Sequence, residues 1–141
     1  MNDTPPRTMS AGECWQALRE HEFGRLAYRL LGDVHITPIN YAVDGDALLF
    51  RTAQGNKLLS AVMHEPVALE IDELGSEDAW SVVVRGRAEV LGETDAQRAE
   101  QVPLRPWVAG DKDSVVRIVA VEVTGRRFRL SKPWEHIVPT S

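Results

Sequence analysis

At 141 residues the chain is sized for one domain and is long enough to bury a real core. With 43% hydrophobic and 26% charged residues it has an ordinary soluble, globular make-up, and no apolar run approaches the roughly 20 residues of a membrane span. A net charge of −5 argues against a general nucleic-acid surface, which needs many Lys and Arg on one face, but is compatible with a small anion pocket.

Residues 1–10 are polar, carry Pro5-Pro6 and lack a signal-peptide core, so a disordered leader on a cytoplasmic protein is expected. Ser10 and Glu13 form a capping box that opens a helix to about Glu20, with Ala11, Cys14, Trp15 and Leu18 on one face. Cys14, the single cysteine, excludes an internal disulfide and reads as a small buried hydrophobe. Phe23 to Leu31 alternates as a strand, and Leu31-Gly32-Asp33 turns it.

From Val34 to Val43 the period is two. Val34, Ile36, Pro38, Asn40 and Ala42 fall on one side, and His35, Thr37, Ile39, Tyr41 and Val43 on the other. Asp44-Gly45-Asp46 makes a hairpin turn, with Ala47 to Arg51 as the return strand. Arg51 and Thr52, the short Ala53-Gln54-Gly55 loop, Asn56 as N-cap and the helical run Leu58, Leu59, Val62, Met63 follow at once. Helix starts leave amide N–H groups unpaired and partly positive, so a guanidinium, a hydroxyl, amides and the Lys57 ammonium converge as phosphate donors. An ordinary strand-to-helix connection with a solvated Lys is the other explanation. The spacing is not that of a Walker loop, which needs two glycines before its Lys-Ser/Thr.

Pro66 ends that helix, and Val67, Leu69 and Ile71 alternate in a further strand. Trp80 to Leu91 is a long strand in which Gly86 marks a bulge or bend. Thr94-Asp95-Ala96-Gln97 starts a short helix ended by Pro103. Val115 to Val123 is apolar on both sides, which suggests a central strand covered on both faces. Gly125 is expected to turn it, with Phe128 and Leu130 in a last short strand. The fold class is therefore mainly β: six to seven antiparallel strands closed as a barrel, with two to three short helices. The domain spans 11–131, with a C-terminal tail over 132–141.

P-I-N-Y (Pro38 to Tyr41), the Asp-Gly turn, L-F-R-T-A-x-G-x-K-L (Leu49 to Leu58) and W-S-V-V-V-R-G-R-A (Trp80 to Ala88) together resemble the pyridoxamine 5'-phosphate oxidase-like FMN-binding split barrels. The likeness is to the short flavin-nucleotide-binding branch that includes nitroimidazole-resistance-type proteins, and it covers roughly Ala11 to Arg129. It implies a split barrel, a homodimer and an FMN-dependent oxidoreductase of an unidentified small substrate. By the same resemblance, Thr37, Pro38, Ile39 and Asn40 run along the flavin ring, and Arg51, Thr52 and Lys57 hold the phosphate with the Leu58 amide. Ser81 and Val82 approach from a neighbouring strand, and Trp107 of the partner subunit covers the site. The tail F-R-L-S-K-P-W-E-H does not match the basic substrate-phosphate motif of the longer members that oxidise pyridoxamine phosphate, which argues against that substrate.

Other chemistries have less to rest on. His21, His35, His64 and His136 lack metal-ligand spacing, so no metal is assigned. Ser81 has no G-x-S-x-G setting for hydrolysis. Arg126, Arg127 and Arg129 read as a solvated or ion-paired face. A reductase using the deazaflavin F420 and a non-enzymatic flavin or haem carrier remain as alternatives. A nucleic-acid-binding OB barrel is disfavoured by the acidic balance.

Overall fold

In the computed structural model, residues 5–53, 58, 62–63, 65–91 and 113–130 are described. They contain β1 (Arg7–Thr8), α1 (Ala11–Glu20), β2 (Phe23–Leu30), β3 (Asp33–Asn40), β4 (Ala42–Asp44), β5 (Ala47–Ala53), β6 (Pro66–Leu74), β7 (Asp78–Val90) and β8 (Asp113–Arg129). The strands pair antiparallel in the order β3-β2-β6-β7-β8-β5-β4, with β1 added on β8. The two ends of that order, β3 and β4, are consecutive in the chain and separated by Tyr41 alone. A sheet whose outermost strands are one residue apart in sequence has to curl back on itself, and the result is a mainly β, antiparallel split barrel. Seven strands lie on the main path, at the upper end of the expected six to seven.

Alternation sorts the side chains. Leu26, Leu48, Phe50, Leu69, Ile71, Val82, Val84 and Ile118 point inward and are fully buried, forming one core with Leu18 and Tyr41. Burial of a side chain such as Phe50 contributes about 2 to 3 kcal/mol. The Asp-Gly hairpin forms as expected: Asp44 pairs with Ala47, and Gly45 takes the positive φ of a primed turn at 64°. At the β2–β3 turn the same region is occupied by Leu31, a non-glycine residue at φ 53° that is 96% exposed.

Helix α1 starts at the expected capping box. Glu13 N–H donates to Ser10 Oγ at 3.1 Å and Ser10 N–H donates to Glu13 Oε1 at 3.1 Å. Its buried face is Cys14, Ala17 and Leu18 rather than one that begins at Ala11, which is exposed. Burial pushes the Cys14 thiol up, in keeping with an inert core group. Of the other expected helices, Leu58 and Val62 are helical, whereas the one from Thr94 lies outside the described residues.

Three expectations are corrected. The leader is not free over its last residues: Arg7–Thr8 pairs with Arg126 and Arg127, Met9 is buried, and Met9 N–H donates to Gly125 O at 2.9 Å. Two residues carry no periodicity, so nothing in the pattern marks β1. Gly125 does not turn the chain, because β8 runs on through it to Arg129. A Cβ there would lie 2.6 Å from Cys14 Sγ and 3.0 Å from Met9 Sδ, so glycine serves the close approach of α1 and the N-terminal segment. Finally, β8 is not covered on both faces: Val116 and Ile118 are buried, but Val119 and Val121 on the outer face are 44% and 76% exposed.

Gly86 does mark a bulge. Arg85 pairs with Glu122 but Gly86 pairs with Ala120, which leaves Val121 as the extra residue. A Cβ on Gly86 would sit 2.1 Å from the Val119 carbonyl oxygen, a backbone atom that cannot swing aside. Gly86→Ala is therefore expected to cost about 2 to 3 kcal/mol, read as a lowered urea midpoint.

Glu13 also joins Arg7, with carboxylate and guanidinium 3.0 Å apart. The Arg7 hydrogen bond, then the Ser10 N–H, hold Glu13 at about 2, below the ordinary 4.5. The fold thus prefers the ionised form. Its contribution is complete above pH 4.5 and is lost as the pH falls through about 2. Stability measured against pH should decline less steeply across that interval in Glu13→Gln than in the unmodified chain.

Candidate functional site

The split lies between β3 and β5. β4 pairs with β5 through Ala42↔Leu49 and Val43↔Leu48. Carrying that register back past Tyr41 would set Asn40 against Arg51 and Ile39 against Thr52. The strands instead turn away from each other: Asn40 pairs with Phe23 on β2, and Arg51 with Val115 on β8. β3 and β5 come close but exchange no ladder bonds, so β3 ends the sheet with one edge of N–H and C=O groups outside any ladder.

This brings two groups of expected site residues to facing lips. Thr37, Pro38, Ile39 and Asn40 form one lip, and Arg51 and Thr52 the other. Ile39 points into the core and is 6% exposed, so only its backbone can serve a ligand. Pro38 and Asn40 face outward, in line with the exposed Val34 and Ile36.

Arg51 is half-buried, and its Nε is fully buried with no hydrogen-bond partner among the described residues. An N–H of a charged group left without an acceptor is costly, so such positions call for a missing partner. Beside it, Thr52 is the one buried polar residue among those described. Guanidinium and hydroxyl together suit a phosphate. Leu58 is helical and packs its side chain against the core. Lys57 and Trp107 lie outside the described residues.

Ser81 and Val82 are not brought to Arg51. Val82 points into the barrel and is fully buried, and Ser81 pairs with Asp72 and Arg126 on the outer face. In the order β3-β2-β6-β7, Ser81 is three strand spacings from Asn40, about 14 Å.

Two features escaped the motif reading. An outer-face groove of about 410 Å³ is lined by Ala27, Val34, Ala68, Arg85, Arg87 and Val121. The alternation had already put Val34 and Ile36 in the row of Pro38 and Asn40, and an apolar row beside a ligand segment was the available signal. The second is a cross-strand cluster: Arg25 Nε donates to Glu70 at 3.0 Å, and Arg25 Nη2 bridges Glu70 and Asp72. Burial, then the neighbouring Asp72, push Glu70 up, whereas the hydrogen bond from Glu70 and the Arg25 charge hold Asp72 down. The two carboxyls neutralise Arg25, so it is not available as a further phosphate donor. Among the described residues no group of three or more His, Cys, Asp or Glu could hold a metal, and no helix is long and apolar enough to cross a membrane.

A family model described as pyridoxamine 5'-phosphate oxidase matches residues 10–127. An uncharacterised Mycobacterium tuberculosis protein is 48% identical over 89 residues, 62% of this chain and 80% of that protein. A solved FAD-binding protein from Mycobacterium smegmatis is 40% identical with a TM-score of 0.81, over 89% of this chain and 100% of that one. A FAD-binding protein from Mesorhizobium loti is 28% identical with a TM-score of 0.72, over 87% and 98%.

The orphaned Nε gives Arg51 an unusual sign. In ligand-free protein, Arg51→Met removes a buried donor without an acceptor, so stability should rise by about 1 kcal/mol rather than fall, as read by urea unfolding.

Proposed function

This chain belongs to the pyridoxamine 5'-phosphate oxidase family, and on that premise we propose that it binds the FMN unit of a flavin in the split between β3 and β5 and works as an oxidoreductase on a small substrate. The observation that carries this reading is the buried, unpartnered Nε of Arg51 beside the buried Thr52. Arg51 and Thr52, with Lys57 and the Leu58 amide, grip the phosphate. The free edge of β3 from Thr37 to Asn40 turns its backbone groups, and the Asn40 amide, toward the polar rim of the ring. Ser81 and Val82, which the resemblance also assigns to the ligand, stand within this chain on β7, away from that gap.

When bound, the flavin supplies hydride transfer at N5, and the chain supplies position, electrostatics and exclusion of water. No general acid or base is required of the protein. The exposed outer-face residues Val34, Ile36 and Val121 favour a homodimer that covers them, and the buried free thiol Cys14 suits a reducing cytoplasm. The tail lacking a basic substrate-phosphate motif favours a substrate other than pyridoxamine phosphate.

FAD is the second reading, because it contains the same FMN unit and two similar solved proteins are described as FAD-binding. The absorbance spectrum of freshly purified protein should show flavin bands. Chromatography of the released cofactor distinguishes FMN from FAD, and fluorescence quenching compares both with F420. Arg51→Met and Lys57→Ala should each weaken flavin binding at least about tenfold while the fold persists, since a charge-assisted contact contributes about 1.5 to 3 kcal/mol. Unchanged affinity in both variants would refute the phosphate assignment, and a colourless protein that takes up no flavin on incubation would refute the whole reading.

A further inference from the structure

Two adjoining cavities open where α1 meets the ends of β6, β7 and β8, away from the split and independent of the flavin reading. They measure about 410 and 300 Å³ and share Glu73, Trp80 and Arg127 in their walls. Trp80 presents only 9% of its surface. His21 packs edge-on against its ring, centroids 5.1 Å apart at 75°, and holds its Nε2 3.4 Å from the Glu73 carboxylate. Arg127 stands directly across the ladder from Trp80, at the other end of β8 from Val115, the partner of Arg51.

Arg127 differs from three other arginines on the ladders. Arg25, Arg85 and Arg117 are each bonded to a carboxylate on a neighbouring strand. Half-buried Arg127 makes no hydrogen bond or ion pair with any described residue, although Glu73, Glu77 and Asp78 line the same cavity. A partly desolvated guanidinium with free donors calls for an anionic acceptor, and the planar fork fits a carboxylate best. The surrounding carboxylates outnumber it, so a simple anion would meet net repulsion. A simple cation would leave Arg127 unbonded.

One chemistry satisfies both constraints. We propose that this mouth of the barrel binds a small zwitterion, a free amino acid with an apolar side chain. Its carboxylate lies on Arg127, its ammonium is turned toward Glu73 and Glu77, and its side chain rests against Trp80.

The test is calorimetric titration of the full chain, as purified, with three probes of one shape: L-phenylalanine, 3-phenylpropionate, which lacks the ammonium, and phenethylamine, which lacks the carboxylate. Phenylalanine should bind saturably and the other two at least about tenfold more weakly. Arg127→Leu should weaken phenylalanine by at least the same factor, with Arg127→Lys intermediate and the circular dichroism of both unchanged. Absence of phenylalanine binding, equal binding of either truncated probe, or unchanged affinity in Arg127→Leu would each overturn the proposal. The probe series on the unmodified chain decides the matter even where a variant fails to fold.

Discussion

Tyr41 is the residue on which the architecture turns. It alone separates the two strands that lie at opposite ends of the sheet, so the sheet has no flat solution open to it. Its side chain reinforces the join: the phenol is almost fully buried, donates to Leu18 O at 2.8 Å near the end of α1, and is pushed up by that burial. Its own N–H donates to Glu22 O at 2.9 Å. One residue therefore links the ends of the sheet, the helix that covers the barrel mouth and the start of β2. A buried hydrogen bond of this kind contributes only about 1 kcal/mol, so the larger effect is geometric.

The same constraint creates the split. Once the chain leaves β3 for β4, β3 remains bonded to β2 and β5 to β8, and the space between β3 and β5 receives no ladder. Backbone groups on that edge, a buried threonine and an arginine with an orphaned donor collect there because closure is incomplete. The candidate site is thus a by-product of how the barrel ends meet.

Much of this was legible in the sequence because it rests on local signals. The capping box at Ser10, the Asp-Gly turn, the period of two through β3 and the bulge at Gly86 each follow from residue chemistry within a few positions. Arg51 and Thr52 could be picked out because they sit at the junction of a strand and a helix start. Non-local facts could not be read this way. β1 is too short for a pattern, and only its partner strand identifies it. Gly125 resembles a turn until the sulfur atoms of Cys14 and Met9 are seen against it. Val119 and Val121 look like core residues from their side chains, and only the direction of the outer face exposes them. Ser81 and Val82 carried a motif likeness, but the strand order puts β2 and β6 between them and the gap.

At the unmatched Val121 the alternation of β8 skips one residue. Before it, the even-numbered residues Val116, Ile118 and Ala120 face the interior; after it, the odd-numbered residues Val123, Gly125 and Arg127 do. Loss of that single residue would leave Ala120 and Glu122 as neighbours opposite Gly86 and Arg85, so the ladder would become regular, Gly125 and Arg127 would keep their face, and only the local bend of the bulge would be lost. The extra residue is therefore absorbed where it occurs: it bends β8 against β7 without changing which residues the far half of the strand turns toward the barrel mouth.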